Sequence, residues 1–216
     1  MLKRDDQEHI LGMCVVGDYI LSFKSRWIEL LYVPPFPGAD RRLTSRHGPD
    51  HHCLRLNYPE VAFAGASLSE PQPNPESPDD SRIVYVLARQ LAGGLFYFRV
   101  TIHNPDYAPS GPKAGMDLDL LGVYKLNKNR VGIRGKTDPR LVLGAWLGSE
   151  GKRGIWTERS SHELNRSVVA ASFNQSPSAG VPVESGDDLQ ELCELAPRIE
   201  STGSVFIVDS WNPDGE

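Results

Sequence analysis

Apolar residues recur along this chain in short blocks set apart by glycine, proline and small polar residues. From Ile10 to Val33 the blocks read as a three-strand meander: Leu11 to Val16, a Gly17-Asp18 turn, Tyr19 to Lys24, a Ser25-Arg26 step, then Trp27 to Val33. Tyr19, Leu21 and Phe23 fall on one face with Ile20 and Ser22 on the other, and Trp27, Leu31 and Val33 oppose Ile28, Leu30 and Tyr32. Both faces are largely apolar, which suits a sheet covered on each side better than a sheet with one wet face. The β-branched and aromatic enrichment argues against a helix of similar length.

Further strands are expected at Cys53 to Leu56, Val61 to Leu68, Ile83 to Arg89 and Leu95 to Ile102, the last two as a hairpin around Gly93-Gly94. Phe96, Phe98, Val100 and Ile102 share one face. Leu118 to Leu126, Leu141 to Trp146, Gly154 to Glu158, Ser167 to Phe173 and Ser204 to Val208 continue the series. Between Ser185 and Pro197 the helical spacing of Leu189, Leu192 and Cys193 allows two helical turns, with a buried strand as the alternative. Glu70 to Ser81, with four prolines and four acids, reads as an excursion that cannot pack a core.

With 216 residues and 39% apolar content the chain can bury a core as one domain, two at most. A net charge of −5 gives no overall attraction to phosphate backbones, so nucleic acid is not the expected partner. No run reaches the roughly 20 apolar residues that cross a bilayer, and acids occupy the place where a secretory signal needs its apolar segment. A cytoplasmic or nuclear protein is expected. Cys14, Cys53 and Cys193, odd in number and far apart, fit reduced core thiols.

Chemistry is sparse. His47, His51, His52 and Cys53 are the densest set of potential metal ligands, but no second pair stands at zinc-site spacing, so no metal is expected. Gly148 to Lys152 lacks the first glycine and the Ser or Thr of a phosphate-binding loop and reads as a hairpin turn. No nucleophile elbow is present. Asp117 and Asp119 would share a strand face, where alternating acids are usually solvated. Neither catalytic residue nor cofactor is expected. What is left suits a partner: Arg41, Arg42, Arg46 and His47 make one loop cationic, and Arg is favoured at interface hot spots.

The stretch from Leu143 to Phe173 carries Gly148, Gly151, Lys152, Arg153, Gly154, Trp156, Glu158, Arg159, Val168 and Val169 in a pattern that resembles a block near the C-terminal end of fungal F-box-type proteins. Weaker similarity covers Asn57 to Pro71 and Gly94 to His103. The resemblance implies a strand pair of a β-propeller, with Trp156 buried against an adjacent blade. It also implies a substrate-recognition role in a ubiquitin-ligase receptor. The family's helical F-box has no counterpart in Met1 to Gln7, so the chain is expected to match the C-terminal part of that propeller.

The fold expected is therefore all-β, a partial β-propeller of about four antiparallel blades at ~40 to 45 residues each, with a β-sandwich or barrel as the alternative. Residues 1–9 and 210–216 would be tails, and 10–209 a propeller-like domain with long loops at 34–52, 70–81, 104–116 and 175–186. The function expected is a non-enzymatic protein-interaction module whose protein partner the sequence does not specify. The alternatives are a small intracellular β hydrolase, a sugar-binding protein, or a truncated gene product without activity. No membrane partner is expected. An unclosed propeller leaves an apolar blade face and a strand edge open, so self-association through Ile10 to Val33 is expected as well.

Overall fold

A computed structural model describes residues 9–33, 53–57, 61–77, 80–90, 94–106, 114–126, 140–160, 166–173, 175, 180–184 and 186–207. The described strands form three antiparallel sheets. The first is a meander of β1 (Ile10–Val16), β2 (Tyr19–Lys24), β3 (Trp27–Tyr32) and β4 (Cys53–Asn57). The middle sheet contains β5 (Gly65–Leu68), β6 (Gln72–Pro73), β7 (Arg82–Gln90), β8 (Gly94–His103) and β9 (Gly115–Lys125), with β13 (Val181–Pro182) added on the β9 edge. The third runs β10 (Arg140–Leu147), β11 (Arg153–Ser160), β12 (Arg166–Ser172) and β14 (Gly203–Ile207). Between β13 and β14 lies the one described helix, α1 (Leu189–Leu195), so the Leu189, Leu192, Cys193 spacing resolves as helix.

β5 and β6 pair successive parts of β7 and together make one broken edge strand. At the break Ser69 keeps the ladder closed: its N–H donates to Tyr85 O at 2.9 Å, and its hydroxyl accepts from Tyr85 N–H at 2.9 Å. The middle sheet is thus a four-strand blade with β13 appended. The first strands of the three sheets adjoin, β1 against β5 and β5 against β10. Leu147 N–H of β10 donates to Ser67 Oγ of β5 at 3.0 Å. Meanders radiating from touching first strands are the blades of a partial β-propeller.

Burial follows from this stacking. One side of the middle blade, through Val84, Val86, Phe96, Phe98, Val100 and Ile102, meets Leu21, Phe23, Ile28 and Leu30 of the first. The other side, through Ile83, Tyr85, Leu87, Leu95 and Tyr97, meets Val142, Trp156, Val169 and Phe173 of the third. Each face of the middle sheet faces its own core because successive residues of a strand alternate sides. Trp156 is fully buried, as the resemblance implies.

Several details differ from expectation. The described residues make three blades where length arithmetic leads to about four, since chain is spent in connections, including the excursion from Phe173 to Thr202 that interrupts the third blade before β14. Only Gly65–Leu68 of the expected Val61 to Leu68 strand is a strand. Val61 and Phe63 instead plug the core, with Phe63 N–H bonded to Ser25 O at 2.9 Å. The 70–81 stretch contains β6, and the 175–186 stretch contains β13. In the first blade the inward face is buried, whereas the outward face mixes exposed Met13 and Val15 with the Lys24–Glu29 ion pair and Arg55 stacked 3.5 Å over Trp27.

Among the described residues no helix is long and apolar enough to cross a membrane. Cys14 and Cys193 are free thiols packed against the core, and burial pushes each up to about 11.

Candidate functional site

One end of the blade stack gathers the Gly17-Asp18 turn, the Glu70–Glu76 segment, Asn104–Asp106 and the Gly148–Gly151 turn. Asp18 N–H donates to Pro105 O at 3.0 Å, and Glu70 N–H donates to Ser149 O at 2.9 Å. A groove of about 680 Å³ opens here between the middle and third blades. Pro71, Gln72, Pro73 and Glu76 form one wall, Ser149, Glu150 and Lys152 the other, and Ile83, Tyr85 and Gln175 lie between them.

The turn wall is built by local chain chemistry. Gly148 N–H bonds to Arg153 O at 2.9 Å and Gly151 N–H to Gly148 O at 2.8 Å, a tight hairpin turn, as the sequence reading has it. Gly151 sits at φ +73°, where a side chain is strained, and a Cβ there would lie 2.5 Å from the Tyr85 ring. Its carbonyl accepts from Tyr97 OH at 3.1 Å, and Tyr97 stacks on Tyr85 and on Phe173 at 5.7 and 4.3 Å. Gln175 Nε2 donates to Glu150 O at 2.9 Å. The turn is thereby fixed to the middle blade by Tyr85 and Tyr97 and to the segment after β12 by Gln175.

The opposite wall is held by β6 on β7 and by Asn74, whose N–H donates to Ser81 O at 3.0 Å and whose Oδ1 accepts from Glu76 N–H at 3.1 Å. Lys152 Nζ reaches Glu150 Oε2 at 2.9 Å, and this hydrogen bond holds the Glu150 carboxyl below its usual range. Burial raises the Tyr85 hydroxyl above its ordinary value, with Arg99 and Lys152 opposing.

A second groove of about 500 Å³ is bordered by Arg99, Asp117, Asp119 and Glu184. Asp117 and Asp119 do share a face here. Both are engaged: Asp119 Oδ2 accepts from Arg99 Nε and Nη2 at 3.0 and 2.9 Å, and Asp117 Oδ2 lies 2.7 Å from His103 Nε2.

Arg41, Arg42, Arg46 and His47 lie outside the described residues, as do His51 and His52. β3 ends at the grooved end, where Val33 N–H bonds to Asp18 O at 2.8 Å. Among the described residues no three His, Cys, Asp or Glu side chains group to hold a metal. Sequence reasoning missed Tyr85, Gln175 and Glu150 as groove residues. The available signals were prolines at alternate positions, 71, 73 and 75, and a tyrosine inside an otherwise aliphatic run.

No protein-family model matches the chain, and no curated protein matches it. Among solved structures the chain is similar to the WD40 domain of SCAP from fission yeast, with 12% identity and a TM-score of 0.40. The alignment covers 85% of this chain and 33% of that one, so the chain spans about a third of that structure's length.

Proposed function

We propose that this chain is a protein-interaction module: a stack of β blades that holds recognition segments at one end. The observation that carries the reading is the groove between the Glu70–Glu76 segment and the Gly148–Lys152 turn, whose walls are fixed by main-chain hydrogen bonds to each other and to the middle blade. Pre-organised walls lower the ordering cost of binding. Loops on a rigid scaffold are where recognition residues concentrate. The finer reading, the substrate-recognition portion of an F-box ubiquitin-ligase receptor, is supported by the similarity of the block from Gly148 to Arg159 to fungal F-box-type proteins.

Site-directed photo-crosslinking tests both levels. A photoreactive residue at Gln72 should label one discrete protein, which when purified binds the chain in solution and is displaced by Gly151→Ala. Absence of any saturable partner sinks the module reading. A partner whose turnover is independent of cullin ligases sinks only the finer one.

A further inference from the structure

We propose that the groove receives an extended, lysine- or arginine-bearing segment of a partner protein, an inference that rests on the reading of the chain as a protein-interaction module. Its rim carries Glu70, Glu76 and Glu150 against a single cation, Lys152, which is already bonded to Glu150. No described cation pairs with Glu70 or Glu76. Two exposed carboxylates thus flank the opening and favour a positively charged occupant while repelling phosphate backbones and acidic chains.

An independent feature points to the same ligand. Tyr85, at 6% exposure, lies on the groove floor, and its hydroxyl has no hydrogen-bond partner among the described residues. The hydroxyl opens on the groove and is free to donate to a carbonyl of an entering chain. The proline wall decides how that chain lies. Asn74 N–H is turned toward Ser81, which leaves the alternate position, Pro73, on the free edge without an N–H, and Pro71 and Pro75 offer no donor either. Addition of a partner strand to this edge is therefore disfavoured. Side-chain charge and the Tyr85 hydroxyl recognise the segment instead.

The test titrates the full chain with a fluorescein-labelled, end-blocked ten-residue peptide alternating lysine and serine. Matched peptides carry glutamine or glutamate in place of lysine, and exchange protection of the Glu70 amide is read in parallel. The lysine peptide should bind, weaken as salt is raised and protect that amide. The double change Glu70→Gln and Glu76→Gln should weaken it several-fold with no shift in unfolding midpoint. Tyr85→Phe, which keeps the ring on Tyr97, should weaken it as well. Equal binding of all three peptides with the amide protected would overturn the charge class and leave the module reading standing. Binding that neither protects the amide nor responds to the glutamate changes would remove the groove as the site. Failure of every peptide to bind would overturn the proposal.

Discussion

On one side of the middle blade the buried side chains that meet its neighbour are mainly apolar: Phe63 lies edge-on to Phe96 and Phe98 at 5.2 and 6.0 Å and tilted to Phe23 at 5.6 Å. On the other side the same sheet meets the third blade through side chains that are aromatic and hydrogen-bonded at once. Tyr97 OH donates to Gly151 O, and Arg89 spans from Ala64 O at 3.0 Å to Val142 O at 3.1 Å. Deeper still, Glu158, 3% exposed, accepts from Trp156 Nε1 at 2.9 Å and from Tyr124 OH at 2.6 Å on one oxygen. An apolar contact is held by shape and area and has no directional preference. A contact with buried donors and acceptors tolerates one alignment, because any slip leaves polar groups unpaired. The groove sits on the second contact, where register between blades is fixed by direction as well as by area.

The comparison can be broken in order of expected effect. Trp156→Ala should be the most damaging change, costing about 5 kcal/mol in denaturant unfolding, since it opens a cavity and takes a donor from buried Glu158. A loss below 1 kcal/mol would mean the third blade does not pack as described. Phe63→Ala removes the plug of the apolar side and should cost about 3–4 kcal/mol. Because no polar group is orphaned, Phe63→Leu should recover most of it. Recovery would be absent if directional contacts also governed that side.

Gly151→Ala should cost about 1–3 kcal/mol from its left-handed backbone alone, with the clash against Tyr85 added. Crystallography should then show the turn lifted off the middle blade, and an undisturbed turn would contradict the docking geometry. Tyr97→Phe keeps the stacked ring and loses two hydrogen bonds, to Gly151 O at 3.1 Å and from Gln175 Nε2 at 3.4 Å, so about 1–2 kcal/mol is expected. A neutral result would place water rather than Gly151 at the hydroxyl.

The smallest stability effect belongs to the outward face of the third blade, where Trp146 and Ile155 are cross-strand partners and remain 56% and 47% exposed. Met13 and Val15, at 65% and 67%, occupy the outward face of the first. Trp146→Ser should leave unfolding within about 0.5 kcal/mol yet reduce self-association in light scattering, because blade faces that no described residue covers are association surfaces. A parent chain that stays monomeric as concentration rises would show these faces need no cover.

Much of this architecture was legible from residue order. Period-two patterning and turn residues located nearly every strand, because those signals are local: a β-branched or aromatic run commits to extended backbone, and Gly17-Asp18 or Gly148 to Gly151 commits to reversal. Which sheet would be covered on both faces was read differently. Ile10 to Val33 looked apolar on both sides, but its outward face carries Lys24 and Glu29, beside Arg55 of β4, and the doubly buried sheet is built on Val84 to Ala88 and Leu95 to Phe98. The groove was not legible. Tyr85 and Glu150 are 65 positions apart in numbering, and no local pattern says that a turn of one blade will seat on a ring of another.

Residue order therefore set the strands, the reversals and the lack of a spaced metal or phosphate motif, all properties carried by neighbours along the chain, while the burial of Trp156 was implied by the family resemblance. Tertiary structure alone decided the three-blade stack, the pairing of Glu158 with Tyr124 and Trp156, and the meeting of the proline wall with the glycine turn. Such contacts depend on how whole sheets rotate about a shared edge, and their free energy appears only once distant segments exclude water together.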